Sequence, residues 1–320
     1  MGSFGQRKFA NLRDSKEKQL THSASSGLIL SRAESINMFG KEYANHLDIL
    51  TQSFGQMNDQ YQEKIKANKK NNTFIGTFKK LYILLFGIPE IGFQIRSLYF
   101  KKILTSHVFN KSPKNILDAG SGIGAYSLWL AKSFNRAKIT GGEIDKDKLN
   151  SSEVIRKQLH LKNVNFVYFD IMKPQKKPLY DLIICIDVLE HIDRYETVLK
   201  NFYDLLQNNG YVYIHVPQPN QKRIFSSSKT WHHQDHVREG IAKNTLENQL
   251  KKLGFRIITS EETSGFFGKL TWEINHLTLL RSFALAGIIF PILYILAILD
   301  QFSKNKNGLG VAVLAKKYVK

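Results

Sequence analysis

The stretch Asn115-Ile-Leu-Asp-Ala-Gly-Ser-Gly-Ile-Gly124 decides the fold. Asn115 to Ala119 is a short apolar run that reads as a strand. It meets a turn in which Gly120, Gly122 and Gly124 let the backbone reverse tightly and approach a ligand closely. From Ala125 to Ser133 the apolar residues recur at helical spacing. Strand, glycine turn and helix in this order make a nucleotide cradle, with main-chain N–H groups gathered at a helix N-terminus.

Glycine spacing of this kind has two readings. With Ala125 in the last place it satisfies G-x-G-x-x-A, the pattern of dinucleotide-binding oxidoreductases. The residues that follow separate the two. Strand and helix alternate with acids at the strand ends, as a doubly wound sheet with its ligand across the carboxyl edge requires. Ala137 to Gly142 reads as a strand ending at Glu143, where a carboxylate can accept two hydrogen bonds from a ribose diol. Val164 to Phe169 is a third strand, with Asp170 at its end. Tyr180 to Ile186 is a fourth, nearly all apolar as a strand covered on both faces should be, and it runs into Asp187-Val-Leu-Glu-His-Ile192.

This set resembles the class I S-adenosylmethionine-dependent methyltransferases from about Asn115 to Phe255. Asp118-Ala-Gly-Ser-Gly-Ile-Gly124 is similar to the family's first motif, Glu143 to its ribose-binding acid, and Asp170 to the acid that meets the adenine amino group. Asp187-Val-Leu-Glu-His191 is similar to the sequence after the fourth strand. Gly210-Tyr-Val-Tyr-Ile-His-Val-Pro217 resembles the fifth strand, Leu253-Gly-Phe255 the start of the sixth, and Gly308-Leu-Gly-Val-Ala-Val-Leu-Ala-Lys316 the last, inserted antiparallel beside the fifth. A nicotinamide enzyme accounts for the glycines and Glu143 but has no need of Asp170 or the Leu-Glu-His turn.

The resemblance implies S-adenosyl-L-methionine as cofactor and an α/β fold, a Rossmann-like seven-stranded sheet with helices on both faces. Its contacts are expected at Asp118, Gly120, Gly122, Gly124, Glu143, Ile144, Asp170, Ile171 and Asp187. Asp118 is expected to organise the glycine loop rather than touch the ligand. The plain structural alternative for Glu143 and Asp170 is helix capping, a role in which Asp is good and Glu poor.

Five segments are expected. Residues 1–72 form a partly helical, partly flexible extension rich in Ser, Asn, Gln and Lys. Residues 73–114 form a basic amphipathic helical lid, 115–265 the cofactor-binding core, 266–307 an apolar insertion that faces a membrane or a second copy, and 308–320 the last strand and a basic tail. The formal net charge of +19 is uneven. Met1 to Tyr61 is nearly neutral, whereas Gln62 to Lys114 holds eleven Lys and Arg against Glu63 and Glu90. Within that zone Lys79-Lys-Leu-Tyr-Ile-Leu-Leu-Phe86 and Tyr99-Phe-Lys-Lys-Ile-Leu104 mix cations with apolar residues. They read as a membrane-surface element or substrate lid, or as helices packed on the sheet with Lys stems over apolar surface. Long aliphatic runs and the lack of a recognisable RNA-binding module argue against nucleic acid as partner.

Between Arg281 and Asp300 lie eighteen residues without a charge, borderline in length for a span. A span would separate the last strand from its sheet. The expectation is therefore a helix broken at Pro291 that dips into one leaflet, or else packs in a soluble homodimer. Met1 to Leu20 is polar and mixed in charge, which predicts no secretory signal, and Gln6 speaks against myristoylation. The single cysteine, Cys185, falls within the fourth strand as a core residue and fits a reducing compartment. Together these predict a cytoplasmic location on the inner face of a membrane.

Thr230-Trp-His-His-Gln-Asp-His-Val-Arg-Glu-Gly240 supplies candidate general bases in His232, His233 and His236, with Asp235 orienting a ring. An alternative is a divalent metal held by Asp187, Glu190, His191 and His233, as in the small-RNA 2'-O-methyltransferases and some quinone O-methyltransferases that the chain resembles here. The acceptor expected is a lipophilic or membrane-linked small molecule, such as a quinone precursor, a polyprenyl-linked sugar or a glycolipid. The alternatives are an RNA 2'-hydroxyl, an ordinary soluble small molecule, or a cofactor-binding scaffold without turnover.

Overall fold

The computed structural model of the chain describes residues 39–50, 73–175, 179–225, 236–303 and 305–318. Seven strands, β1 (Asn115–Ala119), β2 (Lys138–Glu143), β3 (Val164–Tyr168), β4 (Tyr180–Ile186), β5 (Leu206–Pro217), β6 (Phe255–Thr263) and β7 (Gly310–Lys317), form one sheet in the order β3-β2-β1-β4-β5-β7-β6. All neighbours are parallel except β7, which runs antiparallel between β5 and β6. The last strand thus lies beside the fifth, as expected.

Period-two alternation sends each strand's side chains into two cores. On β4, Leu182 and Ile184 pack on one face with Phe100, Ile103, Leu128 and Ile139, while Ile183 and Cys185 pack on the other with Leu199, Phe202 and Leu246. The first face is covered by α2 (Ile91–His107), α3 (Ala125–Ser133) and α4 (Lys146–Gln158). The second is covered by α5 (Tyr195–Leu205) and α6 (Lys243–Lys252). Cys185 is fully buried, and burial pushes its thiol pKa up.

Three expectations change. The basic stretch at 73–114 divides into α1 (Thr73–Phe86) and α2. The latter is a core helix, in line with the packed alternative rather than a surface element, since Phe100, Ile103 and Leu104 are buried and even Lys101 lies under cover with its ammonium over the Phe39 ring. Part of the supposed extension is also core. Within 39–50, Phe39, Tyr43, Ala44, Ile49 and Leu50 are buried, and the Tyr43 hydroxyl donates to the Ile123 carbonyl in the glycine turn at 2.7 Å. The rest of residues 1–72 lies outside the described residues.

The third change concerns Pro291. The apolar insertion is two helices, α7 (Phe266–Arg281) and α8 (Phe283–Asp300), and the break falls at Ser282, whose hydroxyl caps α8 by accepting from Leu285 N–H. Pro291 sits inside α8 without ending it. Proline cannot donate to the carbonyl four residues back, which is that of Gly287. The Tyr82 hydroxyl of α1 donates to that carbonyl at 2.6 Å, so the helix continues and α1 is tied to α8.

Candidate active site

The carboxyl edge of the sheet is built around the glycine turn. Gly120, Gly122 and Gly124 all have positive φ. A Cβ on Gly120 would lie 2.5 Å from Val188 Cγ2, so bulk is excluded there by packing. At Gly122 a Cβ would meet nothing within 4 Å. The turn is thus closed against the protein on one side and open where a ligand would lie. Ser121 Oγ, inside the turn, is buried and has no hydrogen-bond partner among the described residues.

Asp118 and Glu143 hold the turn from beneath. Asp118 Oδ2 accepts from the Ser127 hydroxyl at 2.7 Å, which ties α3 to β1. Glu143 Oε2 accepts from Gly122 N–H at 2.8 Å, and Oε1 accepts from Ile144 and Asp145 N–H. It does not cap α4, because Asp145 does so through Asp147 and Lys148 N–H. The Glu143 carboxylate is left at the end of β2 facing the glycines, where a ribose diol would meet it. Ile144 beside it is 60% exposed, an apolar side chain suited to an adenine face.

Asp170 Oδ1 accepts from Met172 N–H at 2.8 Å, closing an Asx turn rather than starting a helix. The Ile171 side chain is buried in the second core, and Asn201 pins the Ile171 and Met172 carbonyls.

Burial pushes the Asp118 carboxyl pKa up to about 7, partly opposed by the Ser127 bond and reinforced by Glu143. An unfolded Asp ionises near pH ~4, so between about 4 and 7 the folded chain keeps a proton the unfolded chain has lost, and stability falls as pH rises. At roughly 1.4 kcal/mol per unit the loss is a few kcal/mol, complete above pH ~7. Thermal melts at several pH values check this. Asp118→Asn, which can still accept from Ser127, should flatten the dependence, and identical slopes for wild type and variant would refute the assignment.

Asp187 does something that sequence position did not show. Its φ is +51° and its carboxylate turns to Arg96 Nε of α2 at 2.9 Å and to His215 Nδ1 of β5 at 2.5 Å. His215 Nε2 in turn meets Thr263 Oγ1 at 2.9 Å. Burial alone would raise the Asp187 pKa, but Arg96 and His215 outweigh it and bring it down to about 2. Arg96, His215 and Thr263 come from three elements far apart in the chain. Arg96 was legible only as one of many cations and His215 only as part of a strand.

For the metal set given as an alternative, Asp187, Glu190, His191 and His233, the described residues show a different grouping. Asp187 is committed to Arg96 and His215, and His232, His233 and Asp235 lie outside the described residues. Instead Glu190, His191 and His236 converge, with one potential ligand atom from each within 4.8 Å of the others. The two imidazoles meet edge to face at 4.7 Å, and Glu190, 1% exposed, has an Oε2 with no partner among the described residues. Burial, with Asp187 close by, pushes the Glu190 pKa well up. Arg238 clamps the two segments together, donating to the carbonyls of Leu189, Ile192 and Asp193 while stacking on Tyr195. A buried carboxylate and two imidazoles form an oxygen and nitrogen donor set that fits a divalent transition metal.

A further wall comes from α7. The Arg223 guanidinium lies 4.4 Å above the Trp272 ring, which stacks on His276 at 5.4 Å. Burial, with Arg223 adding to it, lowers the His276 pKa to about 4, so that ring is neutral near pH 7. A Cβ on Gly92 of α2 would sit 3.2 Å from Trp272 and 3.3 Å from Arg96, which places this aromatic wall beside the Arg96–Asp187 pair. Glu273 accepts from Ile224 and Phe225 N–H at 2.7 Å each and so holds the chain leading to residue 226 against α7.

Residues 94–260, just over half of the chain, match the family described as a methyltransferase domain. The chain belongs to this family, that of the class I S-adenosylmethionine-dependent methyltransferases. Over 126 residues it is 30% identical to a ubiquinone biosynthesis O-methyltransferase of Rickettsia felis, covering 39% of this chain and 50% of that one. Over 104 residues it is 27% identical to an (S)-coclaurine N-methyltransferase of Papaver somniferum, covering 32% and 30%. These matches span half or less of the relatives' length. A crystal structure of coclaurine N-methyltransferase bound to N-methylheliamine and SAH superposes with a TM-score of 0.49 at 16% identity, covering 70% of this chain and 73% of that one.

Proposed function

We propose that the chain methylates an oxygen or nitrogen of a lipophilic small molecule presented at a membrane surface on the cytoplasmic side. The acceptor would be of the quinone-precursor, polyprenyl-linked sugar or glycolipid kind. The observation that carries methyl transfer is the glycine turn, open above Gly122 and faced by the Glu143 carboxylate. The relatives' names cover both an O- and an N-methyltransferase, and the reading keeps both atoms. The Trp272 and His276 rings near Arg96 add an aromatic boundary that suits an apolar acceptor.

Gly120, Gly122, Gly124, Glu143, Ile144 and Asp170 would hold S-adenosylmethionine. When bound, it supplies an electrophilic methyl group on a sulfonium. The protein's part is to hold the acceptor in line, exclude water and accept a proton. Asp187 is unsuited to the last role because Arg96 and His215 keep it ionised and engaged. An imidazole suits it better, drawn from His232, His233 and His236, of which His236 lies against His191.

The Glu190, His191 and His236 cluster favours a second reading, in which a divalent cation binds the acceptor hydroxyl and lowers its pKa. An RNA 2'-hydroxyl would be one such acceptor, and nucleic-acid binding that falls steeply with salt would point to it.

The test is methyl transfer from labelled S-adenosylmethionine to phenols and amines carrying alkyl or prenyl tails, with and without chelator, in wild type and in His236→Ala. Product with tailed acceptors that survives chelation and falls by about 100-fold in the variant is the expected result. Loss of product on chelation with recovery on adding metal would establish the second reading. Cofactor binding with no product from any acceptor would leave a scaffold.

A further inference from the structure

Two helices carry apolar faces that other described residues leave uncovered. On α8, Leu285, Ile288, Ile292, Ile295 and Leu299 are exposed at a spacing of three and four residues, Ile288 at 74%. On α1, Phe78, Leu81, Leu84 and Leu85 are exposed as well. The bond from Tyr82 to the Gly287 carbonyl ties together the two helices that carry these rows, and the two exposed rows on the tied helices are called the ridge. Lys79 and Lys80 are exposed on α1, and Phe302 and Lys306 are exposed just past α8. Single apolar residues scattered on a surface mean little, but nine on two joined helices mark an interaction surface.

The topology restricts what covers the ridge. The opposite face of α8 is buried through Ala286, Phe290, Leu293, Tyr294 and Ala297. Its end is held by Asp300, whose carboxylate accepts from Gly265 and Gly268 N–H, and β7, which follows, pairs with both β5 and β6. The helix is thus held along the domain, a placement that favours lying on a surface over leaving the domain to span a bilayer. A second copy would press one +19 chain against another with Lys79 and Lys80 beside the contact. An anionic lipid surface has the opposite charge and apolar depth beneath it.

We propose that this ridge docks flat on an anionic bilayer surface. The exposed side chains of α1 and α8 enter the headgroup boundary, and Lys79 and Lys80 meet lipid phosphates. This deepens the lipophilic-acceptor reading and rests on it only for its purpose, because docking is measurable without cofactor or acceptor.

The experiment is sedimentation of the full chain with vesicles of phosphatidylcholine alone and of phosphatidylcholine and phosphatidylglycerol in equal parts, at low and high salt. Light scattering is recorded without lipid. Wild type should sediment with the anionic vesicles. Ile288→Asp/Ile292→Asp, at exposed positions, should lower the partition coefficient by roughly 100-fold or more. Lys79→Glu/Lys80→Glu, which leaves the apolar ridge intact, should lower it by at least about 30-fold and reduce its salt dependence. S-adenosylmethionine titration of each variant should match wild type, which separates a docking defect from a folding one.

Wild type remaining in the supernatant would overturn the proposal, as would wild-type partition of both variants. So would a lipid-independent dimer that the isoleucine variant dissolves while vesicles bind nothing. Docking without turnover would refute only the functional reading, and turnover on a soluble acceptor without docking only this one.

Discussion

Gly122→Arg is expected to abolish S-adenosylmethionine binding while leaving the domain folded. Gly122 has φ +55°, so any side chain there carries left-handed strain of about 1–2 kcal/mol. Beyond the chain neighbours no protein atom lies within 4 Å of where its Cβ would be, so the first carbon of the arginine finds open space and the rest is expected to fill the cradle. A drop in affinity of at least about 100-fold, some 3 kcal/mol, should appear by calorimetry with only a small fall in melting temperature. Gly120→Arg is the contrast. Its Cβ collides with Val188, and that variant should lose the fold itself. Wild-type affinity in a folded Gly122→Arg protein would remove the glycine turn from the cofactor site.

Arg96→Met should strongly destabilise the carboxyl edge by removing a partner rather than by overpacking. It strips Asp187 of a partner at 2.9 Å and leaves the carboxylate with His215 alone in a largely buried site. Removing one member of such a pair costs about 3–5 kcal/mol when fully buried, and the partial exposure here places the effect at the lower end, about 3 kcal/mol. Arg96→Met/Asp187→Asn should recover much of the loss, because no unpaired charge remains. A double-mutant cycle in denaturant measures this. Coupling below about 0.5 kcal/mol would mean that solvent screens the pair and that it does not hold α2 to the sheet.

The residues legible in the sequence share one property, that their roles are settled by neighbours in the chain. Asn115 to Gly124 has the strand, the turn and the helix start within ten residues, and Glu143 ends a strand whose pairing with β1 follows from that turn. The Leu-Glu-His turn was legible as a motif, but Asp187 and Glu190 within it were not separable. Only the left-handed backbone at Asp187 sends one carboxylate to Arg96 and leaves the other beside His191. The histidine-rich stretch marked a place in the chain without saying that His236 would meet His191 across Arg238's clamp.

Hydrophobic periodicity and the glycine turn marked the strands and the cradle, because both act over short spans of chain, and the resemblance these motifs carry implied the antiparallel last strand and the cofactor class. The tertiary structure alone decided that Tyr43 covers the glycine turn, that Trp272 stands beside Arg96, and that the Gly287 carbonyl left vacant by Pro291 is bonded by Tyr82. Each of these joins residues tens to hundreds of positions apart. Whether a cation ends exposed, over a phenyl ring or in an ion pair depends on which helices pack together. Lys79, Lys101 and Arg96 read alike in one basic run, and only the packing of α1 and α2 sends them to three different environments.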